Sequence, residues 1–266
     1  MNIDVVCCDL DGVVWRGDEP IPGAADGVAA LRAAGLRVVF VTNNSSGTRA
    51  EYAAKLVACG VPAVAPDVLS SAMAAARLLA ADLAPGTRVL ACAGDGVREA
   101  LELAGFVAVE TAPADAVVVG WHRDFDFDRL TRAADAVRSG ARFVATNVDP
   151  TYPSADGVLP GNGALVAAVA TAAGREPEIA GKPSAAMAAI VEEACGGNGS
   201  GGRAVMIGDR PSTDGTFAAR LGWPFALVLS GIAGRGGEEP IPSPAPPFVA
   251  DDLGALAPML LAARVG

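Results

Sequence analysis

The sequence predicts an α/β fold built on parallel sheet, and three observations predict it. Short apolar runs alternate with helical segments along almost the whole chain. The alternation breaks at Pro85-Gly86 and then starts afresh, so the 266 residues divide into two units rather than one. Three apolar runs end directly in polar clusters: Asp9 and Asp11, then Thr42 to Ser45, then Asp209 to Asp214. In parallel sheets the ligand lies beyond the carboxyl ends of the strands, so runs far apart in sequence can meet at one pocket.

Taken in order, Val5-Val6-Cys7-Cys8 is a buried strand that stops at acidic residues. A helix follows over 23–34, with Val28 and Leu31 on one face and Gly35 past its end. The strand over 37–41 runs into Thr42-Asn43-Asn44-Ser45. Helices are predicted over 49–59 and 70–83. After Pro85-Gly86 come a strand over 89–92, a helix over 97–103, strands around Phe106 and Val117, a helix over 128–139 and a strand over 142–145. The stretch 150–163, rich in Pro, Gly, Ser and Asp, reads as a loop. A helix over 163–173 follows, and 174–181 reads as a return linker. The last part resumes with a helix over 185–194, a flexible turn over 196–202, a strand over 204–207 entering Gly208-Asp209, and a helix over 212–221. A strand over 225–229, an irregular Gly- and Pro-rich stretch over 231–247 and a terminal helix over 253–263 complete the chain.

The hydrophobic fraction of 52% supplies ample core. The net charge of −10 repels a phosphate backbone, which argues against a nucleic acid polymer as partner. A small phosphate ester meets the same repulsion, so binding one requires a metal and a few basic groups that reverse the sign locally. The five cysteines are scattered and form no CxxC pair, as expected of reduced thiols in a cytoplasmic protein. The start shows no signal-like segment and no run is long enough to span a bilayer, so no membrane is expected.

Each polar cluster has a chemical and a structural reading. Asp9 and Asp11, two apart at a strand end, can serve one site as nucleophile and proton carrier, or form an acidic turn. Thr42 to Ser45 can hold phosphoryl oxygens or cap the next helix. Lys182 can neutralise charge beside carboxylates or lie on the surface. Asp209 and Asp214 can bind magnesium through oxygen or decorate a helix N-terminus. The sole histidine, His122, has no partner cluster, so neither a zinc site nor a histidine base is expected.

Together the motifs DLDGVVWRGDEPIPGA, VTNNSSGTR, ATNVDPTYP, PGNGAL, GKPS and GDRPSTD resemble the haloacid dehalogenase superfamily, most closely its class II subfamily A phosphatases. That group contains the 4-nitrophenylphosphatase-like, phosphoglycolate phosphatase-like and nucleotide phosphatase-like enzymes. The resemblance implies a Rossmann-like core, residues 1–84 and 181–266, interrupted by an α/β cap of the C2 type over 85–180. It implies Asp9 as nucleophile, Asp11 as general acid and base, and Thr42, Asn43 and Lys182 as phosphate ligands. Mg²⁺ would be held by Asp9, Asp209 and the main-chain carbonyl of Asp11, with Asp214 supporting the metal and Lys182. One departure stands out: Val119-Gly120-Trp121-His122 lacks the acidic residue that the family commonly carries there.

The expected activity is Mg²⁺-dependent hydrolysis of a small phosphorylated metabolite, such as glycerol phosphate, phosphoglycolate or 4-nitrophenyl phosphate, through an aspartyl-phosphate. Asn147, Asp149 and Tyr152 are the cap candidates for substrate contact. A nucleoside monophosphate or sugar phosphate phosphatase on the same scaffold, a dehalogenase, and a non-catalytic metabolite-binding protein are the rivals. A homodimer is open as the assembly state.

Overall fold

The computed structural model describes residues 3–154, 157–196, 203–233 and 239–265. Two parallel sheets organise it. The larger has six strands in the order Phe248–Ala250, Phe225–Val228, Ala204–Gly208, Val5–Cys8, Arg37–Thr42 and Val68–Ser70, all parallel. The central strand, Val5–Cys8, pairs on one side with Arg37–Thr42 and on the other with Ala204–Gly208. The chain winds outward in opposite directions from those two neighbours, so the topological switch point, where such folds bind ligands, lies beside Cys8.

Strand alternation assigns the faces. Val6 and Cys8 pack with Val38, Phe40, Val205 and Ile207 against helices Ala24–Ala33 and Leu253–Val265. Val5 and Cys7 point the other way, with Val39, Val41, Ala204 and Met206, against helices Ser71–Ala80 and Ala185–Ala194. Burial on both faces explains why these strands read as unbroken apolar runs.

The smaller sheet has five parallel strands in the order Glu178–Ile179, Arg142–Ala145, Ala116–Val119, Arg88–Cys92 and Val107–Val109. One face packs on helices Phe127–Arg138 and Asn162–Ala173. From the other face, Val89, Ala91, Ala116 and Val118 join the same apolar cluster as Leu69, Ala72 and Ala75 of the first unit. The second unit is therefore seated on the first through continuous core.

Three expectations change. The 150–163 stretch is an antiparallel hairpin, Thr151–Ser154 with Gly157–Pro160, not a plain loop. Its two prolines lack N–H groups but sit on a two-stranded ribbon, where outward positions need no ladder partner. The 174–181 linker contains Glu178–Ile179, which adds an edge strand to the smaller sheet beside Val144 and Ala145. The helix expected over 212–221 begins instead as a wide five-residue turn, Pro211–Gly215, before Thr216–Leu221 continues as α-helix. The predicted flexible turn over 196–202 lies outside the described residues apart from Gly196, as does 234–238 of the irregular stretch.

Candidate active site

Asp9 follows the central strand, and its N–H donates to the Ile207 carbonyl at 2.9 Å, extending the pairing by one residue. Asp209 follows the neighbouring strand Ala204–Gly208. The wide turn Pro211–Gly215 then brings Asp214 back beneath it, 1% exposed. Lys182, only 3% exposed, is not a surface lysine. Its Nζ lies 2.9 Å from Asp9 Oδ1 and 2.7 Å from Asp214 Oδ1, and donates to the Val41 carbonyl at 3.0 Å. The structural alternatives for these residues therefore fail: none is a solvated turn or an exposed helix end.

Asp9, Asp209 and Asp214 each offer an oxygen within 4.8 Å of the others. Burial raises the Asp9 pKa well above the carboxylate range, and the Asp214 and Asp209 charges push it further against the pull of Lys182. Burial, reinforced by Asp214, pushes Asp209 up to about 7. Burial disfavours the Lys182 ammonium, but Asp214 and Asp9 outweigh it, so its pKa is raised. One ammonium among three carboxylates leaves a net negative site that calls for a cation.

The donor set fits Mg²⁺. Both Asp214 oxygens are engaged, Oδ1 by Lys182 and Oδ2 by the Arg210 N–H at 3.2 Å. Asp209 Oδ2 accepts from the Ile232 N–H at 2.7 Å, and Asp9 Oδ1 faces Lys182. Asp9 Oδ2 and Asp209 Oδ1 accept no hydrogen bond among the described residues. An all-oxygen, carboxylate-rich set is what a small hard cation prefers. The backbone makes room for it: a Cβ at Gly12 would stand 2.2 Å, and one at Gly231 1.9 Å, from Asp209 Oδ2. Gly12 also has φ +84°, in the left-handed region that glycine adopts without strain.

Asp11 lines the cleft, with Oδ1 accepting from Trp15 Nε1 at 3.0 Å. Burial raises its pKa, while Trp15, Lys55 and Asn44 favour its charged form. Thr42 Oγ1 accepts from the Asn44 N–H at 2.9 Å, closing a small turn at the cleft. The helix that these residues might have capped, Arg49–Ala58, is capped instead by Thr48 and Glu51 in a reciprocal capping box. The Asn43 side chain faces neighbouring protein: Oδ1 accepts from the Lys182 N–H at 2.7 Å, and Nδ2 donates to the Lys182 carbonyl and to Asp149 Oδ2 at 2.8 Å.

The three cap candidates all line the cleft, together with Asp9, Asp11 and Lys182. Asn147 Nδ2 donates to the Asn43 carbonyl at 2.7 Å, and Asp149 Oδ1 accepts from Thr213 Oγ1 at 3.0 Å. Tyr152 packs edge-on against Trp121 with ring centroids 4.9 Å apart. Trp121 directly precedes the position, His122, at which the family pattern carries its acidic residue. His122 beside it is turned inward: its Nδ1 donates to the Gly120 carbonyl at 2.7 Å, and burial lowers its pKa.

Sequence reasoning missed five contributors. Arg210, which donates to the Thr151 carbonyl at 3.0 Å, and Thr213 both lie inside the GDRPSTD motif that was read for its carboxylates. Gly231 and the Ile232 N–H lie in a Gly-rich run with no acidic signal. Trp15 lies inside the DLDGVVWRGDEPIPGA motif, which was likewise read for its carboxylates.

A family model described as haloacid dehalogenase-like hydrolase matches residues 6–107, and a second, HAD-hydrolase-like, matches residues 179–256. The human glycerol-3-phosphate phosphatase is 35% identical over 263 residues, covering 88% of this chain and 81% of that protein. The chain belongs to the haloacid dehalogenase-like hydrolases. Within that family, the D-glycerol 3-phosphate phosphatase of Mycobacterium tuberculosis is 42% identical over 232 residues, covering 86% of this chain. The match spans 64% of that mycobacterial protein's length. The crystal structure of a glycerol phosphate phosphatase from the same organism in complex with magnesium superposes with a TM-score of 0.83 at 37% identity, covering 96% of this chain and 76% of that one. The haloacid dehalogenase-like fold thus accounts for both sheets, with the smaller one as the cap.

Proposed function

We propose that this chain is a Mg²⁺-dependent phosphatase that hydrolyses small phosphomonoesters through a phosphorylated Asp9. The observation that carries the proposal is the position of Lys182, bridging Asp9 and Asp214 at the switch point of the larger sheet, with Asp209 beside them. Residues 1–84 and 181–266 form the catalytic unit in this reading, and 85–180 close over it.

Mg²⁺, held by Asp9, Asp209 and the Asp11 carbonyl, supplies charge neutralisation and polarisation of the phosphoryl oxygens. Asp9 attacks phosphorus and the ester P–O bond breaks. Asp11 gives its proton to the departing oxygen, then takes one from the water that attacks the phosphorylated aspartate, releasing phosphate and restoring Asp9. The raised pKa of Asp11 suits both halves of that cycle, because a group near its pKa can hold or release a proton. Lys182 offsets charge on Asp9 and on the incoming phosphate. Thr42 offers its hydroxyl to the phosphate. Asn43 serves through its backbone, because its side-chain amide is engaged by Lys182 and Asp149.

The substrate class we assign is a short polyol phosphate. The polar side chains that reach the cleft from the smaller-sheet unit, Asn147, Asp149 and Thr151, and the glycerol phosphate phosphatases among the chain's relatives support that choice. The acidic chain and the narrow cleft support a free metabolite in the cytoplasm rather than a nucleic acid or a membrane; among the described residues no helix is long and apolar enough to cross a membrane.

Asp9→Asn is the decisive variant. It is expected to abolish phosphate release from glycerol 3-phosphate and 4-nitrophenyl phosphate while leaving the melting transition intact. Near wild-type turnover by the variant would contradict the assignment. A nucleoside monophosphate preferred tenfold in kcat/KM over three-carbon phosphates would overturn the substrate class alone.

A further inference from the structure

Trp15 is a buried aromatic with a polar task. It is 1% exposed and does not line the cleft, yet its indole N–H donates to Oδ1 of Asp11, which does. A buried indole N–H needs a partner, and here that partner is the proposed proton carrier. The Trp15 backbone is held at two points and its ring at one. The Gly12 N–H donates to the Trp15 carbonyl at 2.7 Å, closing a short loop between the two residues. The Trp15–Arg16 strand pairs with Glu19–Pro20. The Lys55 ammonium stands 4.6 Å from the ring centroid and is itself tied to the Gly17 carbonyl at 2.6 Å. Lys55 belongs to helix Arg49–Ala58, so a helix outside the cleft reaches the Asp11 carboxyl through one aromatic ring.

We infer that Trp15 is a positioning residue for the leaving-group step, fixing the Asp11 carboxyl so that its acidic proton meets the departing ester oxygen. The inference rests on the general-acid reading of Asp11. A carboxyl group turns about its last torsion with little restraint. An N–H donor fixed on one oxygen removes that freedom and aims the group. Proton transfer depends on such alignment, and a displacement of about 1 Å can cost about 100-fold in rate. In the step itself the Asp11 O–H bond breaks, the proton goes to the ester oxygen as its bond to phosphorus breaks, and the new bond forms between Asp9 and phosphorus.

The consequence is a dependence on the leaving group. An alkoxide needs the proton; 4-nitrophenolate leaves readily without it. The test compares kcat/KM, which reports only steps through departure of the leaving group, for glycerol 3-phosphate and 4-nitrophenyl phosphate. Two variants at position 15 are used: Trp15→Phe, and replacement by β-(3-benzothienyl)alanine, which keeps the ring shape but has sulfur in place of N–H. Asp11→Asn is the reference, and melting curves establish that each protein is folded.

The expected result is a loss on glycerol 3-phosphate at least about tenfold greater than on 4-nitrophenyl phosphate for both Trp15 variants, with a larger difference in the same sense for Asp11→Asn, since general acid catalysis contributes roughly 100- to 10,000-fold. If Asp11→Asn shows the selective loss while the sulfur analogue loses both substrates equally or neither, the role of Trp15 is overturned and that of Asp11 stands. If Asp11→Asn loses both substrates alike, the acid–base reading falls and the inference falls with it.

Discussion

Asp209 illustrates how much of this site is set by residues that carry no charge. Its carboxylate is oriented by the Ile232 N–H and fits only because Gly12 and Gly231 have no side chain. A methyl group at Gly231 would lie 1.9 Å from Oδ2, so the carboxylate must turn away and leave its backbone donor. Gly231→Ala is therefore expected to weaken Mg²⁺ roughly 10- to 100-fold, the range seen when groups supporting metal ligands are removed. The concentration of Mg²⁺ giving half-maximal activity reads this directly, and a variant with wild-type Mg²⁺ dependence would refute it. At the same scale, the sequence displayed Asp9, Asp11, Lys182, Asp209 and Asp214 plainly, because charged residues at the ends of apolar strands are conspicuous. It concealed Gly231 and the Ile232 N–H, since a missing Cβ and a backbone donor leave no pattern.

Among the elements, one carboxylate adds a two-pronged polar contact to the apolar cluster that joins the two units. Asp149 accepts from Asn43, at the end of strand Arg37–Thr42, and from Thr213, in the wide turn that carries Asp214. Asp149 thereby ties the smaller-sheet unit to the loop after Thr42 and to the turn that carries Asp214. Hydrogen bonds to a charged acceptor contribute about 1.5–3 kcal/mol each. Asp149→Ala should depopulate the closed arrangement and raise KM about tenfold or more, because apparent affinity scales with the competent fraction. An unchanged KM, with an unchanged substrate preference, would show that Asp149 does not couple the two units. The hairpin Thr151–Ser154 and Gly157–Pro160 and the edge strands Val68–Ser70, Glu178–Ile179 and Phe248–Ala250 were not legible in the sequence. They lack the unbroken apolar run that marks the buried four-residue strands such as Val5–Cys8 and Ala116–Val119, and their pairing is decided by neighbours distant in the chain. The fully buried strands and the amphipathic helices were legible because burial on one or two faces fixes their pattern.

For the molecule as a whole, the acidic composition and the buried acidic site pose the same electrostatic problem, which a cation relieves. Without metal, Asp209 titrates near 7 in the folded protein, against about 4 in an unfolded chain. A raised carboxyl pKa means that the folded state binds more protons than the unfolded state between those values. Its contribution to stability is therefore complete below about pH 4 and is lost as pH rises through about 7. The metal-free protein should melt several degrees lower at pH 8 than at pH 5.5, and Mg²⁺ should raise the melting temperature more at pH 8, where it meets ionised ligands. Equal Mg²⁺ stabilisation at both pH values would oppose this. That the strands on either side of Pro85-Gly86 join different sheets follows the restart of the strand–helix pattern there, whereas the continuity of the apolar cluster across the two sheets left no sequence signal, since it depends on their docking. The central claim is that Asp9 takes up the phosphoryl group, and the most direct measurement is to quench the enzyme in acid during turnover, reduce it with borohydride and sequence the peptides by mass spectrometry. The account predicts homoserine at position 9 and nowhere else; a reduced residue at another position, or none under conditions of active turnover with the intermediate accumulating, would contradict it.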